Sequence, residues 1–147
     1  MKIMLGLFAW TIVSCVNQSK NEPTAKPDNP NKEIVTRLFA AFNKHDWVAY
    51  ADCYSPDADF LDPSYGKDYV KQTHQQLVEK YSGFQNAIPD IVDNAVGIYE
   101  SDEKIIVEFL SSGTLPDRTT IKLPICTIFT FKDGKIIRDA TYFDEEK

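Results

Sequence analysis

The residues that usually build metal, phosphate and nucleophile sites are scarce in this 147-residue sequence, which has two histidines, three cysteines and six glycines. The two histidines lack the spacing of zinc ligands. Neither a glycine-rich phosphate loop nor a G-x-S-x-G nucleophile elbow occurs. What remains is cofactor-free chemistry or simple binding, so we expect no cofactor and no metal.

Basic residues are also outnumbered by acidic residues. Sixteen lysines and arginines stand against 22 aspartates and glutamates, which gives a net charge of −6. Nucleic acids and anionic membrane surfaces attract proteins through basic patches, and this sequence has none. We therefore expect no nucleic-acid partner and no electrostatic attachment to a membrane.

No apolar run reaches the roughly 20 residues that span a bilayer. The run at the N-terminus follows Lys2, covers residues 3–13 and leads into Ile12-Val13-Ser14-Cys15. This ending resembles a bacterial lipobox, in which the cysteine is lipidated after cleavage. A plain secretory signal is the alternative, but its usual A-x-A cleavage pattern is missing. The resemblance implies a signal peptide over 1–14, a lipidated Cys15 as membrane anchor, and a domain held at the bacterial cell envelope outside the cytoplasm.

Residues 15–31 are predicted to form a flexible tether. Asparagine, serine, lysine, glutamate and threonine dominate this stretch together with Pro23, Pro27 and Pro30, a composition that cannot bury a core. The folded domain should then cover 32–147. Its cysteines, Cys53 and Cys126, lie in apolar stretches and are interpreted as buried thiols. The alternative is a disulfide, which an oxidising envelope would allow.

Hydrophobic periodicity predicts three helices and a short strand in the first half of the domain. The first helix covers 32–44. The second begins after Asp46, carries a stripe that extends to Tyr54, and ends at Ser55-Pro56. A strand over 57–62 and a helix over about 67–81 follow, and Ser82-Gly83 ends that helix. The stripe of this third helix consists of Val70, His74, Leu77 and Tyr81.

Alternating patterns predict four long strands in the second half, near 90–99, 104–114, 120–132 and 135–143. Asp133-Gly134 marks a tight hairpin between the last two. One face of the third of these strands is strongly apolar and carries Ile121, Leu123, Ile125, Thr127, Phe129 and Phe131. Helices followed by long strands predict an α+β fold with the helices packed on one side of a mostly antiparallel sheet.

Three segments occur within this order of elements: residues 42–46 (FNKHD), 57–63 (DADFLDP) and 129–137 (FTFKDGKII). Together they resemble the SnoaL-like and ketosteroid isomerase-like families of the nuclear transport factor 2 (NTF2) superfamily, over nearly all of residues 32–144. The resemblance implies a cone-shaped barrel in which three helices and a curved sheet enclose an apolar pocket. It also implies a homodimer, because many members are dimers.

The Asp62-Pro63 pair matches the position of the proton-transferring aspartate in ketosteroid isomerase-like enzymes. As a catalytic base, Asp62 should face the cavity beside Phe60, with a pKa raised by desolvation. The alternative is a turn aspartate that accepts backbone hydrogen bonds. The isomerases' oxyanion-hole tyrosine and protonated aspartate are replaced here by Leu38 and Thr127, so steroid isomerase activity is not expected.

His74 is a second catalytic candidate, with a hydrogen-bonded core histidine as the alternative. The predicted ligand contacts are Tyr50, Tyr54, Phe60, Thr127, Phe129 and Tyr142, of which the aromatic ones could equally be core residues. The late acid of SnoaL-like cyclases matches either Thr141 or Asp144. The run 139–147 is interpreted as a solvated end.

The sequence therefore predicts an envelope-anchored domain that binds a small apolar or amphipathic molecule in an internal pocket. Cofactor-free acid–base chemistry of the isomerase, cyclase or lyase type is the activity that the resemblance allows. The alternative is a noncatalytic module that binds or dimerises through its outer sheet face. A cavity open at Asp62 would favour the first, and a cavity filled by Tyr50, Tyr54 and Phe129 the second.

Overall fold

The computed structural model describes residues 29–144. The predicted signal peptide, the lipobox and most of the tether lie outside these residues. Three α helices and six strands are joined in one chain. Their bounds are α1 Pro30–Asn43, α2 Trp47–Ala51, β1 Tyr54–Leu61, β2 Val70–Gln72, α3 His74–Ala87, β3 Val92–Ser101, β4 Lys104–Thr114, β5 Thr120–Lys132 and β6 Lys135–Tyr142.

The six strands form a single mixed sheet in the order β2-β1-β6-β5-β4-β3. All neighbouring pairs are antiparallel except β1 and β6, which run parallel. The helices cover one face of the sheet: α1 contacts β3 and β4, and α2 packs between α1 and α3. Alternate residues of β4 are buried beneath α1. The predicted α+β fold, with helices on a curved and mostly antiparallel sheet, is confirmed.

The second helix is shorter than predicted. It ends at Ala51, and Tyr54 begins β1 instead of extending the helical stripe. Pro56 explains the difference, because a proline disfavours helical backbone in the residue before it and cannot itself continue a helix. The residues ahead of Pro56 therefore extend, and Tyr54 pairs with Ile136 of β6.

The third helix begins later and ends later than predicted. Residues 70–72 form β2 against β1, and the helix starts after Thr73. Thr73 and Gln76 form a reciprocal capping box in which the Gln76 amide donates to Thr73 Oγ1 at 3.3 Å and the Thr73 amide donates to Gln76 Oε1 at 2.8 Å. The helix then continues through Ser82-Gly83 to Ala87, just before Pro89.

The four long strands agree with prediction to within two residues, and the Asp133-Gly134 turn is confirmed by positive φ angles of 51° and 74°. One feature of this hairpin is unexpected. Phe131 pairs with Ile136 but Thr130 pairs with Arg138, so Ile137 is an extra residue in β6. Beyond this bulge every side chain of β6 changes face.

Candidate functional site

The helices and the inner face of the sheet enclose a cavity of about 170 Å³. Alternate residues of β5 form one wall, as the apolar pattern predicts: Ile121, Leu123, Ile125, Thr127 and Phe129. Phe109 of β4 continues this wall beside Ile125, and Leu38 and Phe39 of α1 line the cavity from the helical side. The space is therefore largely apolar, and its polar groups stand out.

Asp139 is the most deeply buried charged residue of the lining, with 6% of its surface exposed. Tyr54 donates a hydrogen bond to Oδ2 and Thr141 donates one to Oδ1, each at 2.8 Å. Burial raises the pKa of Asp139 to about 6, although these two hydrogen bonds partly oppose the rise. A carboxyl group with this pKa can take up or release a proton near neutral pH.

Hydroxyl groups continue the network on both sides of Asp139. The hydroxyls of Thr127 and Thr141 lie 2.7 Å apart, and the Tyr54 hydroxyl lies 3.1 Å from that of Tyr50. Tyr50 in turn donates to Tyr81 at 3.0 Å. Desolvation by burial is the largest cause that raises the pKa of all three tyrosines, and the nearby Asp139 charge adds to the rise, so these hydroxyls stay neutral donors.

The position of the Asp139 proton sets the direction of this tyrosine chain. When Asp139 is ionised, Tyr54 donates to it, and Tyr50 can donate to only one of its two neighbours. When Asp139 is protonated, it can donate to Tyr54, which is then free to donate to Tyr50 and so on to Tyr81. Tyr81 accepts from Tyr50 and donates to no other group within residues 29–144, so its proton is available to a bound molecule.

Asp62 also lines the cavity, but it is held in an ion pair. Its carboxylate accepts from the Ser64 amide at 2.7 Å, from Ser64 Oγ at 2.6 Å and from Lys80 Nζ at 3.0 Å. Burial by itself would raise the pKa of Asp62, but the Ser64 hydrogen bonds and the Lys80 charge outweigh it and the pKa is lowered. The predicted upward shift is wrong, and Asp62 accepts the backbone hydrogen bond that the turn alternative predicts.

Asp93, at the start of β3, is the third carboxyl group of the cavity wall. Asn43 of α1 donates to its carbonyl oxygen at 2.9 Å and accepts from its amide at 2.8 Å, which fixes this part of β3 against α1. Burial raises the pKa of Asp93 to about 6, and Ser111 offsets only part of the rise. Within residues 29–144, no group donates a hydrogen bond to Asp93 Oδ1.

Residues 35–139 match the family model described as "SnoaL-like domain". The chain belongs to the SnoaL-like family. Among curated proteins, none is significantly similar in sequence.

Solved structures resemble this SnoaL-like domain at low identity. A hypothetical protein with a ketosteroid isomerase-like fold from Catenulispora acidiphila, solved with trimethylamine, gives a TM-score of 0.68 at 18% identity over 76% of this chain and 85% of its own. An NTF2-like protein of unknown function from Burkholderia pseudomallei gives 0.69 at 17% over 80% and 92%. SalBIII, described as an epoxide hydrolase/cyclase-like enzyme in pyran ring formation in salinomycin, gives 0.67 at 23% over 77% and 89%. These likenesses establish the fold.

The SnoaL-like domain brings together only part of the predicted site. Tyr50, Thr127 and Phe129 line the cavity with Asp62. Tyr54 and Phe60 are buried outside the lining, with ring centroids 5.0 Å apart, and Tyr54 reaches the site only through its hydrogen bond to Asp139. These two residues are core positions that support the cavity.

His74 and Tyr142 lie away from the cavity lining. His74 is the first residue of α3, where Nε2 lies 3.0 Å from the Tyr54 carbonyl oxygen and Nδ1 lies 3.6 Å from Asp52 Oδ1. It is hydrogen-bonded, as the alternative of a core histidine predicts, but it is half-buried and not part of the core. Tyr142 is 51% exposed because, beyond the bulge, even-numbered residues of β6 face outward.

Asp139 is one of the site residues that the sequence does not reveal, together with Tyr81 and Asp93. The interpretation of 139–147 as a solvated end is wrong for Asp139, which is buried, whereas Asp144 is exposed. If β5 and β6 paired without a bulge, counting residues from the Asp133-Gly134 turn would place Asp139 opposite Ile128, on the outer face. The extra residue Ile137 places it opposite Phe129 instead, on the inner face.

Three further features of the described residues concern metal binding, free thiols and membrane crossing. Within residues 29–144, no cluster of three or more histidine, cysteine, aspartate or glutamate side chains is arranged to hold a metal ion. Cys53 is buried and Cys126 is half-buried, and both are free thiols. None of the helices between Asn29 and Asp144 combines the length and the apolar character needed to cross a membrane.

Proposed function

We propose that this SnoaL-like domain binds a small, largely apolar molecule in its internal cavity and transfers a proton to or from it through Asp139. The observation that carries the proposal is a buried carboxyl group, with a pKa of about 6, that faces an apolar cavity and belongs to a network of neutral hydroxyls. A general base works best when its pKa lies near the working pH.

The chemistry supported by this arrangement is proton abstraction from the carbon next to a carbonyl group. The Asp139 carboxylate would accept the proton, and the Tyr81 hydroxyl would donate a hydrogen bond to the oxygen that gains negative charge. Isomerases, cyclases and lyases share such a step. The description of SalBIII as a cyclase-like enzyme is consistent with ring-forming proton transfer on this fold.

The size of the cavity limits the molecule to about one ring. An engineered apolar cavity of about 150 Å³ binds benzene, and the volume here is about 170 Å³. A single substituted ring fits this space.

The first prediction tests binding with two neighbouring residues of β5. Leu123→Trp should fill the cavity and abolish the rise in melting temperature caused by phenol or cyclohexanone, while Lys122→Trp, on the opposite face, should retain it. A ligand at about ten times its Kd stabilises by about 1.4 kcal/mol, which a thermal melt resolves. If neither compound shifts the wild-type melt, or if both variants respond alike, binding in this cavity is contradicted.

We also propose that Cys15 carries a lipid that anchors the domain to a membrane of the bacterial envelope. The support is the lipobox-like ending of the N-terminal apolar run, which lies outside the described residues. Cells expressing the wild type should incorporate labelled palmitate into the protein, and Cys15→Ala should incorporate none and lose its membrane fractionation. An unchanged distribution of the Cys15→Ala protein between membrane and soluble fractions would contradict the anchor.

A second candidate function, association through the outer sheet face, is favoured by exposed apolar side chains. Val96 is 74% exposed, and Tyr142 lies with it along an outer groove that also includes Pro124 and Cys126. We propose that this face joins two copies into a homodimer. Sedimentation of residues 32–147 at micromolar concentration should show a dimer, and Val96→Glu should give a monomer. A wild-type monomer would contradict the proposal.

A further inference from the structure

We propose that the molecule bound in this cavity carries a positively charged nitrogen, and that Asp93 binds this ammonium group at the end of the cavity formed by α1, β3 and β4. The proposal rests on the proposed function, since it names the class of ligand for the same cavity: a single-ring amine.

Ser111 lowers the pKa of Asp93 through a side-chain hydrogen bond, but Oδ1 of the carboxylate still lacks a donor. Asn43 occupies the backbone amide and carbonyl of Asp93 but does not reach its side chain. Oδ1 is fully buried and receives no hydrogen bond from residues 29–144. A buried carboxylate oxygen without a donor is unfavourable, so such a group calls for a partner from outside the protein.

The charges of the wall point to a cationic partner. Four charged side chains line the cavity: Asp62, Lys80, Asp93 and Asp139. Lys80 is paired with Asp62 at 3.0 Å, and no other lysine or arginine within residues 29–144 contacts the remaining two carboxyls. Asp139 already accepts from Tyr54 and Thr141, whereas Asp93 Oδ1 accepts from none. An ammonium group would therefore bind at Asp93.

The surroundings of Asp93 suit an alkylammonium group. Phe39 and Phe109 line the same end of the cavity, with ring centroids 5.1 Å apart in an edge-to-face arrangement. Asp93 pairs across the strands with Ser111, which places both side chains on the inner face of the sheet. Aromatic rings attract cations, and the apolar residues of β5 would contact the ring of the ligand. Its far side would then face Asp139.

Three probes that share one ring test the proposal on the purified full-length protein: benzylamine, benzyl alcohol and benzoate. At about pH 7.5 only benzylamine is a cation. Ligand-observed NMR titration should give benzylamine an affinity about tenfold or more above that of benzyl alcohol, and benzoate the weakest. Equal affinity for the amine and the alcohol would overturn the ammonium site and leave the proposed function intact, whereas no binding of any probe would overturn both.

Asp93 and Asp139 supply the matched variants. Asp93→Asn should reduce the preference for benzylamine over benzyl alcohol to about onefold while changing the affinity for the alcohol less than about twofold. Asp139→Asn should keep most of the preference. Loss of the preference in Asp139→Asn with retention in Asp93→Asn would overturn the assignment. Asp93→Ser serves as a second neutral variant if Asp93→Asn does not fold, and the wild-type comparison stands without either.

Discussion

Replacement of Asp139 by asparagine is expected to slow the exchange of the α hydrogens of cyclohexanone in D₂O by about 10²–10⁴-fold, the usual contribution of a positioned general base. Asparagine keeps the shape of the side chain, but its single oxygen can accept from only one of Tyr54 and Thr141, its amide group must donate to the other, and it cannot take up a proton. The loss of the α-proton signal in one-dimensional NMR measures the rate.

The pH profile identifies the group responsible. The base form of Asp139 must predominate, so the wild-type rate should rise as pH passes through about 6 and then level off, and the Asp139→Asn rate should show no such rise. Asp57→Asn is the control, because the Asp57 side chain is 78% exposed and lies outside the cavity lining. An Asp139→Asn protein that retains wild-type exchange would refute the assignment.

Asp62→Asn separates the two candidate bases. The lowered pKa of Asp62 means that its ionised form stabilises the fold above its unfolded pKa and that this stabilisation is lost as pH falls through the folded pKa. Asp62→Asn should therefore lower the free energy of unfolding at pH 7 and have little effect near pH 3. The exchange of the α hydrogens of cyclohexanone should continue in this variant. If Asp62→Asn instead abolishes exchange and leaves stability unchanged, Asp62 rather than Asp139 is the base.

Asp93→Asn is expected to stabilise the protein at about pH 7.5, by as much as ~3 kcal/mol, and to have almost no effect at pH 4. The pKa of Asp93 is about 6 in the folded protein against an ordinary value of 3.8, so the folded protein binds more protons between these values than the unfolded chain does. The wild type then loses stability as pH rises through this window. The uncharged asparagine side chain of the variant avoids that loss.

Denaturant titrations at the two pH values check this expectation, with Asp90→Asn as the matched control. Asp90 accepts from the Thr114 amide and from Thr114 Oγ1, each at 2.7 Å, and its pKa is lowered, so Asp90→Asn should destabilise at pH 7.5. Destabilisation by Asp93→Asn at pH 7.5 would show that a donor satisfies the charge in the folded state. An Asp93→Asn protein that is more stable but no longer prefers amines would have gained stability and lost function.

The fold could be predicted from the sequence because its signals are periodic. The alternation along residues 121–131 predicts which side chains of β5 face the cavity, and the Asp133-Gly134 turn predicts the last hairpin. Local signals also explain the boundaries that were wrong. Pro56 extends the chain toward Tyr54, and the Thr73 cap delays the third helix.

The site was less predictable because its chemistry depends on contacts between distant residues. Lys80 lies 18 residues from Asp62 in sequence, and their ion pair reverses the expected direction of the pKa shift. Asp139 faces inward only because of the single extra residue in β6. No local sequence pattern predicts that bulge. Counting residues along β6 without it places the Asp139 side chain on the wrong face of the sheet.

The order of the strands also determines when the domain can fold. β1 obtains its parallel partner only from β6, so Tyr54 pairs with Ile136 some eighty positions later in the chain. At about 5–20 residues per second, a ribosome needs roughly 4–16 s to reach β6 after making β1. Until then β1 lacks its β6 neighbour, and Tyr54 and Phe60 lack the packing that buries them. The N-terminal half of the domain therefore remains incompletely folded until the last strand has been synthesised.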